Sequence, residues 1–226
     1  MGRRFLLFAL AALLLSSCGP SQYFYSGATY ADLSEGMVLL GPTSTIIYLD
    51  QDNKSAYDDS LSTISEELIA KLTPELGVPA KDRIPLNDDQ EEEAIAFMNF
   101  LKSRNANIRG DIPISSDLDS LIEASGYRYG LLVVADGMLR NRKGLAKQTA
   151  VNILIGVVVA IVTLGTVVPI VYAQPDSTSA YIAVLDSYSD RIVFFNAQGP
   201  WEQSPVGESD VTRILKQLYK PLLSSE

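Results

Sequence analysis

Apolar and polar positions fall into blocks that separate strands from helices. Met37–Leu49 (MVLLGPTSTIIYL) holds two apolar patches rich in β-branched residues around Gly41-Pro42, which predicts a strand, a turn or bulge, and a second short strand. From Tyr57 to Leu72, residues Leu61, Ile64, Leu68 and Leu72 recur at helical spacing and predict the buried face, with Ser60, Ser62 and Ser65 elsewhere. Asp58 and Asp59 suit that helix's N-terminus, and Thr73-Pro74 with Gly77-Val78-Pro79 is its predicted stop. Asn87–Asn105 reads as a second helix, acidic in its first turn, with Ala94, Phe97, Met98 and Leu101 as the apolar stripe and Lys102 and Arg104 in the last turn. Ser115–Ser125 is a third, with Ser116-Asp117-Leu118-Asp119 in the place of a capping box and Gly126 at the stop.

Tyr127–Leu139 (YRYGLLVVADGML) is the clearest strand, apolar enough to be buried on both faces. Ala180–Asp186 and Arg191–Asn196 flank the short polar link Ser187–Asp190 and predict an antiparallel hairpin. Gly199 to Gly207 reads as a loop carrying Trp201, and Glu208–Leu223 as a final helix with Val211, Ile214, Leu215 and Leu218 inward and Pro221 at its end. Strands mixed with helices predict an α/β (α+β) fold: a mixed sheet with helices packed on it, a terminal β-hairpin plus helix, and an apolar helical insert.

That insert is Ile153–Ala173, without a charge; nothing between Lys147 and Asp176 is charged. Its length would span a bilayer. Against a simple span stand the preceding cations Arg140, Arg142, Lys143 and Lys147, and the interruptions Gly156, Gly165 and Pro169. Three arrangements remain: packing on the domain or a partner subunit, lying against a membrane, or a membrane-entering hairpin formed on assembly. Each makes Ile153, Ile155, Val158, Ile161, Leu164 and Val168 candidates for partner or membrane contact, because so apolar a run must be covered.

The chain begins with Arg3 and Arg4, an apolar run from Phe5 to Leu15, then Ser16 and Ser17 before the single cysteine, Cys18. Those are the parts of a secretory signal peptide. Leu15-Ser16-Ser17-Cys18-Gly19 resembles the lipobox of bacterial lipoproteins. That resemblance implies cleavage before Cys18, its acylation (palmitate among the chains), and anchorage in a membrane. The expected organisation is a lipoprotein signal peptide over 1–17, a lipidated tether over 18–36, and a single α/β domain over 37–226 with the insert at about 145–175. The tether, rich in Ser, Gly and Tyr, reads as a spacer whose aromatics could alternatively sit at the membrane interface. No acidic run follows Cys18, and Gly19, not Asp, is next to it. In some groups of such lipoproteins an acidic run or that Asp accompanies surface export or inner-membrane retention, so the resemblance implies the periplasmic face of the outer membrane.

Composition narrows the chemistry. Removing Arg3 and Arg4 with the leader takes the basic count from 18 to 16 against 27 acids, a net charge of −11. That charge argues against nucleic acid as a partner and against electrostatic docking on anionic lipid, leaving the acyl chains as the membrane attachment. With no histidine and Cys18 acylated, the common nucleophile triads, thiolate chemistry and zinc sites have no residues to use. The acids at Asp88–Glu93 lack the alternation and turn glycine of a calcium loop and read as a solvated helix start. No cofactor or metal site is expected.

The lipobox, the strand–helix start, the Tyr129–Val134 strand after a short helix and the final hairpin-helix together resemble the lipoproteins related to the curli secretion channel. The TolB amino-terminal domain has a similar α/β pattern. This resemblance implies a non-catalytic, often oligomeric envelope component. The expected function is a non-enzymatic, lipid-anchored protein that docks partners or copies of itself in a cell-envelope complex. Two alternatives stay open: a membrane-inserting secretion-channel component, and a carboxylate-dependent periplasmic hydrolase using Asp136 and Asp186 at strand ends. A site for a small apolar ligand near the insert is a third.

Overall fold

A computed structural model describes residues 21–24, 30–104, 112–144, 146 and 176–223. In chain order the elements are β1 (Ser21–Phe24), α1 (Tyr30–Leu33), β2 (Met37–Leu49), β3 (Ser55–Tyr57), α2 (Asp59–Glu75), β4 (Ala80–Ile84), α3 (Asp88–Arg104), α4 (Ser116–Ser125), β5 (Tyr129–Arg140), β6 (Ser177–Asp186), β7 (Arg191–Trp201) and α5 (Glu208–Leu223). Residues 1–20, which hold the expected leader over 1–17 and Cys18, and the insert's Ile153–Ala173 lie outside the described residues.

The strands form one seven-stranded mixed sheet in the order β1-β7-β6-β5-β2-β3, with β4 also beside β2. β2 runs parallel to β5 and β4, and the other pairings are antiparallel. Successive side chains of β5 enter different cores. Leu131, Val133 and Ala135 pack with Ile69 and Leu72 of α2 and Val211, Ile214, Leu215 and Leu218 of α5. Leu132 and Val134 pack with Ala94, Met98 and Leu101 of α3 and Leu118 and Ile122 of α4. Burial on both faces is why β5 reads as a continuous apolar run. The fold is therefore the expected α/β sandwich, with the terminal hairpin and helix in place.

Several expectations are corrected. β2 is one strand of 13 residues, with its register to β5 shifting between Leu40 and Thr43 where two strands were expected. Gly41 there has φ +81°. Trp201 ends β7 and packs against the core, so it is not in a loop. The expected tether is not wholly a spacer: Ser21–Phe24 adds to the sheet beside β7, and Leu33 of α1 is fully buried. Ser115, not Ser116, caps α4 by accepting the Leu118 N–H. α3 has a reciprocal cap, in which Gln90 N–H donates to Asn87 Oδ1 and Asn87 N–H to Gln90 Oε1, each at 3.0 Å.

The largest correction concerns α2. Its buried residues are Ser62, Ser65, Ile69, Leu72 and Thr73, while Ile64 is 47% exposed. The reason lies in β2. β4 pairs with Met37–Leu40 and β3 with Ile47–Leu49, leaving an unpaired stretch of strand edge between them. α2 fills that gap with polar side chains. Ser44 N–H donates to Glu66 Oε1 at 2.8 Å, Ile46 N–H donates to Ser62 Oγ at 3.1 Å, and the hydroxyls of Ser44 and Ser65 meet at 3.0 Å. Buried backbone groups must be paired, and meeting that demand turns Ile64 outward.

Candidate functional site

Cys18 and the contact candidates Ile153, Ile155, Val158, Ile161, Leu164 and Val168 lie outside the described residues. The two strand acids lie within them. Asp186 is opposite Tyr129 and Asp136 opposite Ser179, seven residues along an unbroken register. At about 3.3 Å per residue that separates them by ~23 Å, and an odd spacing puts them on opposite faces. A glycosidase pair needs roughly 5 to 10 Å. Asp136 and Asp186 therefore cannot work together.

Asp186 holds a turn. Its side chain is 4% exposed and accepts Arg128 Nε and Nη2 at 2.8 Å each, Ser189 Oγ at 2.9 Å and Tyr188 N–H at 3.1 Å. Burial alone would raise its pKa, but the hydrogen bonds from Arg128, Ser189 and Tyr188 together hold it below the usual carboxylate value. The same pair, with the bond to Asp186 first, raises the Arg128 pKa. Arg128 also lies over the rings of Tyr129 at 4.8 Å and Tyr188 at 5.3 Å. With four donors on its two oxygens, Asp186 locks the β6–β7 turn and does not present itself as a catalyst.

Asp136 is set differently. It borders a surface hollow of about 280 Å³ lined by Thr45, Ile47, Asp136, Gly137, Met138, Ser177 and Ser179. Lys102 Nζ is 4.0 Å from its carboxylate and donates to the Tyr181 hydroxyl at 2.6 Å, lying 4.6 Å from that ring's centre. Tyr181 is opposite Val134 and so shares the sheet face of Asp136, which gathers Lys102, Tyr181 and Asp136 into one cluster. Burial raises the Asp136 pKa, opposed by Lys102 and Tyr181. Sequence reasoning reached Asp136 but not its partners, because Lys102 lies 79 residues before Tyr181 and each reads locally as an ordinary helix-end or strand residue.

Among the described residues no group of three His, Cys, Asp or Glu could hold a metal ion, and no helix is long and apolar enough to cross a membrane. The latter says nothing of a β-barrel.

No family model matches the chain, and no curated protein matches it. Among solved structures, a PelC dodecamer from Paraburkholderia phytofirmans is similar at 9% identity and a TM-score of 0.43, with 92% of this chain and 99% of that chain covered. A dodecamer of a substituted PelC from the same organism gives 11% identity and a TM-score of 0.42, over 92% and 100% of the two chains. A likeness at these values carries no functional argument.

Proposed function

We propose that this is a lipid-anchored envelope protein, held by acyl chains on Cys18 at the periplasmic face of the outer membrane, which docks partners or further copies of itself and catalyses nothing. The observation that carries the reading is Leu15-Ser16-Ser17-Cys18-Gly19, placed directly after a basic start and an apolar run and holding the chain's single cysteine. The strand acids support it. Asp186 is engaged by Arg128 in a turn, and Asp136 has Lys102 beside it, about 23 Å from its supposed partner.

The test is fatty-acid labelling of the full chain in a bacterial host. The wild-type protein takes up the label and is processed, whereas Cys18→Ser accumulates unprocessed and unlabelled. Label in the Cys18→Ser protein would overturn the anchor. Light scattering of the detergent-solubilised protein then separates the two docking modes: a defined multimer means self-assembly, and a monomer means a different partner.

A further inference from the structure

β2, β5 and β7 all run toward one end of the sheet and β6 starts there, so that end carries Leu49, Arg140, Ser177 and Trp201. The opposite end carries the turn Ser187–Asp190 and the start of β2. Three separate features collect at the first end.

The chain leaves β5 after Arg140 and re-enters β6 at Ser177, so both ends of the 36-residue connection that contains the uncharged apolar run lie there. β1 is antiparallel to β7, with Ser21 opposite Ala197. Ser21 is therefore the end of β1 that lies toward Trp201. The start of β1 and both ends of the connection that contains the apolar run thus lie toward the same end.

The described surface at that end is also unusual. Ile47 is 41% and Tyr57 60% exposed, and they sit directly across from each other, with Met138 on the other side of Ile47. Two adjacent apolar side chains stay open there although both faces of the sheet are helix-covered further along. Lys54, Arg142 and Lys143 are exposed beyond the strand ends there, as are the acids Asp52 and Glu202, while Asp50 accepts the N–H groups of Asp52 and Lys54 and Asp176 accepts the Arg140 N–H. An aromatic and an aliphatic side chain with long cations beyond them match the apolar-to-headgroup boundary of a bilayer.

We propose that this end of the sheet, centred on Ile47, Tyr57 and Met138 with Lys54, Arg142 and Lys143 beyond them, is a membrane-facing surface that lies against the lipid headgroups. The inference rests on the anchor reading for its orientation, but the surface itself is separately testable. The net charge of −11 expected for the mature chain gives no electrostatic attraction to anionic lipid, so the acyl chains supply the attachment and this surface only rests against the headgroups.

The test uses the full chain, expressed in a bacterium and reconstituted in vesicles of phosphatidylethanolamine and phosphatidylglycerol. Ile47→Cys and Tyr57→Cys carry a fluorescent thiol reporter, and Tyr188→Cys at the opposite end serves as the control. Doxyl-labelled lipid should quench the first two and leave the third bright, and aqueous iodide should do the reverse. Reporters at Ile47 and Tyr57 that are open to iodide like Tyr188, or shielded from both quenchers by protein, would overturn the surface. The wild-type chain separates the two readings, since an acylated Cys18 takes no thiol dye. Dye on Cys18 removes the anchor alone, and the quenching is then read in a Cys18→Ser background.

Discussion

Tyr219 on α5 and Thr73 on α2 share a hydrogen bond of 2.8 Å inside the core, where both are fully buried. The Thr73 hydroxyl already donates to the Ile69 carbonyl at 2.7 Å, so Tyr219 must be the donor between them. Burial raises the Tyr219 pKa far above the ordinary phenol value, which keeps that proton in place. Thr73→Val leaves the Tyr219 hydroxyl buried without an acceptor and should cost about 2 kcal/mol. Tyr219→Phe removes the needy group itself and should cost about 1 kcal/mol. The double variant should be no less stable than Thr73→Val alone, an outcome that urea unfolding of the four proteins reads directly. Simple addition of the two costs would refute the donor assignment.

Two carboxylates should give opposite pH signatures. Asp186 has a lowered pKa, so its stabilisation is present above the unfolded value near 4 and is lost as pH falls through the folded one. Arg128→Gln should therefore destabilise by about 2 kcal/mol at neutral pH, below the full cost for a buried pair because Arg128 is 43% exposed, and the deficit should shrink in acid. Glu66 has a raised pKa, from burial first and then from Glu91 and Asp59, opposed by the Ser44 N–H and Arg83. The folded state gains stability as pH falls through that raised value. Glu66→Gln keeps an acceptor for Ser44 without the charge, so it should be at least as stable as wild type at pH 7 and lose its advantage below about pH 4. Thermal melts across pH 3 to 8 check both. A Glu66→Gln advantage that grows in acid would contradict the assignment.

Gly199 and Gly77 share left-handed backbone but not surroundings. A Cβ at Gly199 (φ +111°) would come within 2.8 Å of the Ser179 Cα and the Thr178 carbonyl, which are backbone atoms that cannot yield. At Gly77 (φ +87°) it would meet nothing within 4 Å. Gly77→Ala should cost about 1 kcal/mol of backbone strain. Gly199→Ala adds a clash in the β6–β7 ladder and should cost roughly 3 kcal/mol, read as a lower denaturation midpoint. Equal costs would mean that β7 can shift away from β6.

The amino-acid sequence determined the features that depend on near neighbours. The α3 stripe Ala94, Met98 and Leu101, the left-handed Gly126 stop of α4, the inward face of α5 and the turn Ser187–Asp190 were all legible, because spacing, caps and turn residues act within a few positions. Tertiary structure alone decided the rest. Ala80–Ile84 and Ser55–Tyr57 are strands only because β2 offers them an edge. α2 buries Ser62 and Ser65 in place of Ile64 because Ser44 and Ile46 lack a strand partner on that side. Asp136 acquires Lys102 and Tyr181, and is parted from Asp186, through strand register and helix placement. In each case an unpaired backbone group or a neighbour across the sheet sets the outcome, and its partner lies too far along the chain for local pattern to reveal.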